Sequence, residues 1–324
     1  MAYLLLILGF ALLIKGADYL IDGASGLAKS LGLPPMIIGL SIVAFGTSSP
    51  EAAISINAAL QGSGGIALGN VIGSNIFNIA VVIGIMALLS PLKITRQTTR
   101  RELPFALISC MLLLIMIFDI TLQQDASNII SRGDGLIFLI FFSMFLFYLF
   151  EVASKNSCSN NAITEKPVLN RNHDKNNLKR KQIAYFIVGL VGIIIGSKFV
   201  VDSSIAIALK WGISETLIAL TIVAAGTSLP ELVSSIVAVI KKETDIALGN
   251  LIGSSIFNIL FVLGIASVIS PIYVEPELVT DAFIMVFLHL FLLIFALSKY
   301  KISRREGFFL FVSYLAFLAF IIIR

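Results

Sequence analysis

Residues 40–51 read LSIVAFGTSSPE and residues 220–231 read LTIVAAGTSLPE, nine identities in twelve at an offset of 180. A second block behaves alike: IALGNVIGSNIFNI at 66–79 returns as IALGNLIGSSIFNI at 246–259, twelve identities in fourteen. Asp22 returns as Asp202, Gly32 as Gly212 and Ser90-Pro91 as Ser270-Pro271, so the offset needs no gap over about eighty residues. The chain is an internal duplication, and the segments kept most closely are rich in Thr, Ser, Glu and Asn. A duplication that only enlarged a bundle would be expected to keep apolar faces instead.

These polar blocks sit in a very apolar chain. Of 324 residues, 58% are hydrophobic and 13% charged, and the mean hydropathy is +1.00. That is more apolar surface than one soluble core can hide, which excludes an ordinary cytosolic enzyme. The two cysteines, Cys110 and Cys158, exclude a disulfide scaffold. The net charge of +4 comes from residues in short gaps between apolar runs, so no nucleic-acid partner is expected. A helix crosses the hydrocarbon core with about 20 apolar residues. Ten segments reach that length: 2–23, 34–60, 65–90, 103–121, 134–152, 183–208, 214–240, 244–270, 278–298 and 306–323. The first lacks a basic start, because Lys15 follows the apolar run, and no small-residue cleavage site comes after it; it reads as a retained helix.

The one long connector, 153–182, is rich in Asn, Lys and Ser and reads as a flexible tether. It divides the chain into a first five-helix repeat, 1–152, and a second, 183–324. Placing the tether in the cytoplasm leaves eighteen Lys and Arg on inside connectors and three outside. By the positive-inside rule both termini then face outward. Five is odd, so the second copy enters the membrane from the opposite side. Inverted repeats are a transporter architecture, with the binding site near the midplane. The compact loops and the lack of a targeting extension suggest a bacterial inner membrane. Nothing in the sequence calls for an obligate protein partner beyond the lipid bilayer.

Pro50 has no N–H, and its ring clashes with the carbonyl four residues back, at Gly46. The helix should kink or open there and loosen the carbonyls from Ala44 to Thr47, which is tolerated at membrane depth only inside protein or beside water. Glu51 follows Thr47 by four residues and shares its face. Pro230 and Glu231 repeat this with Gly226, Thr227 and Ser228. In the second block Gly69 and Gly73 form a small-xxx-small face, and Ser74 and Asn78 share another. Gly249, Gly253, Ser254 and Asn258 repeat them. All the donors are hard oxygens, so zinc, copper and iron–sulfur sites are disfavoured. Ca²⁺ accepts six to eight such oxygens, and two carboxylates balance its charge; Na⁺ uses the same oxygens with less demand for negative charge.

A lone intramembrane Glu can also be protonated or serve as paired structural glue. Its duplication in a kinked motif favours a functional site. For the Ser and Asn residues interhelical hydrogen bonding is the bland alternative, and Asn70 and Asn250, beside glycines, read as structural. Lys15 with Asp18, and Lys198 with Asp202, read as snorkelling side chains or local ion pairs. His289 reads as a hydrogen-bonded packing residue, and His173 carries no signal.

The doubled GTSxPE and GNxxGSxxFN blocks resemble the alpha repeats of the calcium/cation antiporter superfamily, specifically its prokaryotic sodium/calcium exchanger-like branch. The resemblance covers all ten segments. It implies an all-α integral membrane protein, ten transmembrane helices in two inverted five-helix repeats, working by alternating access. It implies a Ca²⁺ site of Glu51 and Glu231 with the backbone carbonyls of Thr47 and Thr227. It implies Na⁺ sites using Ala44, Thr47, Ser74, Ala224, Thr227, Ser254 and the two glutamates. Asn78 and Asn258 would line the centre, Ser48 and Ser228 are motif residues, and the first span of each half would slide as a gate. Ca²⁺ and Na⁺ are then cargo, and no cofactor is implied. The chain departs from several such exchangers in carrying Asn, not an acid, at 258. That leaves two carboxylates and argues against K⁺ co-transport or proton exchange through that residue. The connector is too short for the calcium-sensing domains of animal exchangers. Na⁺/Ca²⁺ antiport is the first reading, H⁺/Ca²⁺ antiport the second and a cation channel the third. A membrane enzyme is disfavoured, since no repeated nucleophile–base pair or His-rich motif appears.

Overall fold

The computed structural model describes the backbone of residues 2–118, 127–161, 172–211 and 226–323, and the side chains of these save 156–177. The described chain is almost wholly helical: α1 Ala2–Leu31, α2 Pro35–Thr47, α3 Ser49–Leu60, α4 Gly64–Leu89, α5 Leu103–Met116, α6 Arg132–Asn161, α7 Asn172–Lys210, α8 Leu229–Ile240, α9 Thr244–Ile269, α10 Pro276–Lys299 and α11 Arg304–Ile323. Among the described residues seven helices are long and apolar enough to cross a membrane, or eight if α2 and α3 form one broken span. Eight of the ten expected segments are thus accounted for. The other two coincide with α5, of 14 residues, and α8, of 12; residues 119–121 and 214–225 of those segments lie outside the described residues. Within the expected 153–182 tether, helical backbone runs to Asn161 and resumes at Asn172.

Contacts group the chain into two units, residues 1–47 with 144–250 and residues 48–143 with 251–324. In the first, α1 and α7 lie backbone to backbone. Gly9, Gly16 and Gly23 recur every seven residues on one face of α1: Gly9 meets Gly196 of α7, Gly16 meets Gly189 and Gly192, and Gly23 meets the backbone of Gln182 and Phe186. A Cβ at Gly16 would lie 2.7 Å from the Ile193 nitrogen. In the same unit α2 crosses the start of α9 at Gly39 and Gly249, where a Cβ on Gly249 would lie 2.5 Å from the Met36 carbonyl. The small-residue face expected in the first copy is not met this way. The nearest atom to a Cβ at Gly69 is Leu278 Cδ2, at 3.6 Å, and among the described residues none lies within 4 Å of one at Gly73. By the offset of 180 the partner matching Gly39 is residue 219, which lies outside the described residues.

The second unit packs α11 on α4 and α10 on α4 and α5. Two short antiparallel pairs close it: β1 (Leu92–Lys93) with β4 (Lys301–Ile302), and β2 (Ile129–Ile130) with β3 (Ile272–Tyr273). Arginines meet two helix C-termini at equivalent places, Arg304 Nη2 donating to Leu89 O at 3.4 Å and Arg132 Nη2 to Ile269 O at 3.5 Å. The turn after α3 uses Gly62 at φ +73°, and the equivalent turn after α8 forces Lys242 to φ +63°.

Candidate functional site

The prolines act as expected. Ser48 (φ −85°, ψ 6°) and Ser228 (φ −90°, ψ 8°) are the N-cap residues of α3 and α8, with nearly the same angles, and neither side chain caps its helix. Pro50 and Pro230 follow at the second helical position, which puts Glu51 and Glu231 in the first turns. There the helix dipole favours negative charge. Both glutamates are fully buried. Pro230 removes the N–H that would answer the Gly226 carbonyl, and Ser197 Oγ of α7 donates to that carbonyl instead at 3.0 Å. Only half of this was foreseeable: a proline identifies the carbonyl it orphans, but not the distant hydroxyl that meets it.

The first unit holds Ala44, Thr47, Thr227, Ser228 and Glu231. Thr47 Oγ1 is 2.9 Å from Asn250 Oδ1 and 3.2 Å from the Val43 carbonyl, both acceptors, so the threonine proton is spent inside the protein. Asn250 Nδ2 donates to Ser234 Oγ at 3.4 Å, and Ser234 Oγ donates to the carbonyls of Pro230 at 2.6 Å and Glu231 at 3.2 Å. Asn250 thereby ties the end of α2 to the helix of Glu231. Ala44 is buried and Thr227 half-buried; Ala224 lies outside the described residues.

The second unit holds Ser48, Glu51, Ser74, Asn78, Ser254 and Asn258. Here α3, α4 and residues 257–269 of α9 pack on one another. Asn70 Nδ2 donates to the Glu51 carbonyl at 3.2 Å and to Ser55 Oγ at 2.9 Å, so Asn70 ties α4 to the first turn of α3. The structural reading of Asn70 and Asn250 holds. Ser74 Oγ is also engaged, donating to the Asn70 carbonyl at 2.7 Å. Asn78 and Asn258 differ. Each lies at or next to the start of a π-helical stretch, Asn78–Ile83 and Phe257–Leu263, which widens the helix by one residue per turn. Both are fully buried, and among the described residues neither amide of the pair has a hydrogen-bond partner; nor does Ser254 Oγ. A buried polar group left so costs about 1–3 kcal/mol, so its presence in the fold calls for an explanation beyond packing. The π-helical stretches were not foreseen, since an extra residue in a turn leaves no trace in composition.

This contrast is testable. Asn70→Ala removes two hydrogen bonds and should destabilise by about 1–3 kcal/mol, whereas Asn78→Ala removes none and should cost less. Thermal unfolding in detergent compares them, and equal drops would erase the distinction.

Other polar residues fall away from these groups. Lys15 Nζ lies 3.8 Å from Asp18 Oδ2, the expected local pair. Lys198 and Asp202 are both exposed and, among the described residues, form no ion pair. His289 is buried with Nδ1 at 2.9 Å from the Met285 carbonyl, as a packing residue should be. Lys241, counted from sequence only as a connector charge, bridges α1: its Nζ lies 3.1 Å from Asp18 Oδ1 and 2.7 Å from Asp22 Oδ1. Partial burial lowers the Lys241 pKa, and hydrogen bonds and charges from Asp22 and Asp18 more than reverse this, leaving it above the ordinary lysine value.

A family model described as "Sodium/calcium exchanger protein" matches residues 1–151 and 181–323. The putative antiporter CaxA of Alkalimonas amylolytica is 37% identical over 320 residues, covering 98% of this chain and 97% of its own. The sodium/calcium exchanger MaX1 of Methanosarcina acetivorans is 36% identical, covering 98% and 97%. The inner membrane protein YrbG of Escherichia coli is 34% identical, covering 95% and 91%. Among solved structures, the sodium-calcium exchanger NCX_Mj soaked with 10 mM Na⁺ and no Ca²⁺ matches with a TM-score of 0.82 at 30% identity, covering 98% of both chains.

Proposed function

Because the chain belongs to the sodium/calcium exchanger family, multi-pass membrane antiporters and not enzymes, we propose that it exchanges Na⁺ for Ca²⁺ by alternating access. The observation that carries this reading is a fully buried glutamate in the first turn of each of two proline-broken helices, Glu51 and Glu231. Among the described residues no three His, Cys, Asp or Glu gather into a metal cage. An ion held by these two carboxylates would therefore complete its shell with neutral oxygens, which suits Ca²⁺.

In this reading Glu51 and Glu231 bind Ca²⁺ with the carbonyls of Thr47 and Thr227. Na⁺ uses Ala44, Thr47, Ser74, Ala224, Thr227, Ser254 and the same glutamates. Asn78 and Asn258 line the centre, and Ser48 and Ser228, at the two helix breaks, are motif residues of the same set. Two carboxylates balance one Ca²⁺, and Na⁺ uses the same oxygens with less demand for negative charge, so the two cargoes compete for one site. Segments 1–152 and 183–324 act as inverted five-helix repeats, ten spans in all. They sit in an inner (plasma) membrane with both termini outside the cytoplasm.

The test is Ca²⁺ uptake into proteoliposomes under an imposed Na⁺ gradient. Uptake should stop when the Na⁺ gradient is collapsed and ignore a pH gradient. Uptake that follows the pH gradient alone would transfer the function to proton coupling. Passive current without exchange would indicate a channel.

A further inference from the structure

The turn between α8 and α9 holds α1 by two side chains that ion binding does not use. Lys241, the C-cap of α8, reaches two acids one turn apart on α1. Its Nζ donates to the Asp18 carbonyl at 2.9 Å and to Asp22 Oδ1 at 2.7 Å, with Asp18 Oδ1 at 3.1 Å. Two residues on, Glu243 Oε1 accepts from Ser25 Oγ at 2.5 Å. Asp18, Asp22 and Ser25 follow one another at helix-face spacing, so one side of α1 carries all three anchors. Between the two ties stands Lys242 at φ +63°, a left-handed conformation that is unfavourable for a residue with a Cβ. Asp22, Ser25, Lys241 and Glu243 line a cavity of about 620 Å³. The Lys241 side chain is 24% exposed and that of Asp22 55%. Water and salt therefore reach the ion pairs, which can part without unpacking a core.

The duplication does not repeat this fastening. At the offset of 180, Gln61, Gly62 and Ser63 stand for Lys241, Lys242 and Glu243, and Lys198, Asp202 and Ile205 stand for Asp18, Asp22 and Ser25. An amide and a hydroxyl cannot form an ion pair with Lys198 or Asp202, and Ile205 has no hydroxyl to donate. Among the described residues Lys198 and Asp202 form no ion pair. The first-copy turn also takes the relaxed solution, with Gly62 at φ +73°. This lack of symmetry has a consequence for a carrier. Alternating access in an inverted duplication moves one repeat against the other about a common site. Each end state then resembles the other with the roles of the two copies exchanged. A contact made in both copies stabilises the two states alike, whereas a contact made in one copy favours one state and sets their ratio.

We propose that Lys241 and Glu243 form a one-sided clamp on α1 that biases the carrier toward the conformation in which the clamp is closed. The clamp rests on the alternating-access reading and adds to it a built-in inequality of the two end states. Lys241→Gln with Glu243→Gln opens both ties and leaves the ion-site residues untouched. Ca²⁺ uptake is then measured in right-side-out and in inside-out membrane vesicles. A shift of population raises the apparent affinity on the face that gains it and lowers it on the other. The half-saturating Ca²⁺ concentrations should therefore move in opposite directions, their ratio changing by about threefold or more. Lys242→Gln removes a neighbouring charge without touching a tie and should leave both faces unchanged. A common shift on both faces, or no shift, overturns the clamp. A second measurement needs no transport. Spin labels at Lys29→Cys and Lys242→Cys, in a chain with Cys110→Ala and Cys158→Ala, report the separation of α1 from the turn by pulsed EPR. Opening both ties should at least double the share of longer distances. Raising choline chloride from about 0.05 M to about 0.5 M with the ties intact should move the distribution the same way. An unchanged distribution overturns the clamp whatever the protein transports. The expected change without Na⁺-driven uptake upholds the clamp and removes the Na⁺/Ca²⁺ reading instead. If the double variant fails to fold, the salt titration decides alone.

Discussion

Glu51→Gln should lower Na⁺-driven Ca²⁺ uptake by about 100-fold or more and leave the folded protein intact, and Glu231→Gln should do the same. The magnitude follows from charge. A dehydrated Ca²⁺ held by two carboxylates is neutralised, whereas with one carboxylate it keeps a net positive charge in a buried site. Removing one partner from a buried charge pair costs about 3–5 kcal/mol, and each 1.4 kcal/mol or so is a factor of ten in affinity. Glutamine has nearly the shape of glutamate, so packing in the first turns of α3 and α8 survives. It also relieves the ion-free protein of a buried acid, so Tm should hold or rise. Uptake into proteoliposomes together with thermal unfolding in detergent separates the two effects. Undiminished uptake in either variant would remove that acid from the mechanism, and a collapse of Tm would make it a structural group.

What could be seen in advance divides along a physical line. Pro50 and Pro230 announce the helix breaks because a missing N–H belongs to one residue and needs no partner, and the matched angles at Ser48 and Ser228 follow. The helices were legible because apolar run length is local, and the family because its motifs are contiguous. What escaped was tertiary. Ser197 reaches the Gly226 carbonyl across 29 residues of sequence, and Asn250 reaches Thr47 across 203. Lys241 looked like a connector charge until the fold brought it to Asp18 and Asp22. Asn70 and Asn78 stand on one helix with the same side chain, and only their surroundings make one a strut and the other a candidate ligand. The glycines of the first copy were misjudged for the same reason: Gly249 meets a backbone as expected, whereas Gly69 meets the end of a leucine.

That last distinction leads to the largest expected loss of stability. Gly189→Val should lower Tm by about 10 °C or prevent recovery of folded protein. A Cβ at position 189 would lie 2.2 Å from the Leu20 nitrogen and 2.7 Å from the Gly16 carbonyl. Both are backbone atoms of α1, so no change of rotamer can yield, and the helices must part. Overpacking an ordinary core costs about 1–3 kcal/mol; here the loss should reach or pass the upper figure, because close backbone packing is what holds helices together where lipid removes the hydrophobic drive. Gly133→Ala is the control, since the one atom recorded near a Cβ there is Ser131 Oγ at 3.5 Å; its Tm should move by about 1 °C or less. The consequence extends beyond stability. Helix α7 also carries Ser197, whose hydroxyl answers the carbonyl orphaned just before Glu231. A helix pair forced apart at Gly189 pulls on that bond, so whatever Gly189→Val protein is recovered should also take up Ca²⁺ more slowly than Gly133→Ala. Wild-type Tm and uptake in the valine variant would show that the glycine faces of α1 and α7 support neither the fold nor the break before Glu231.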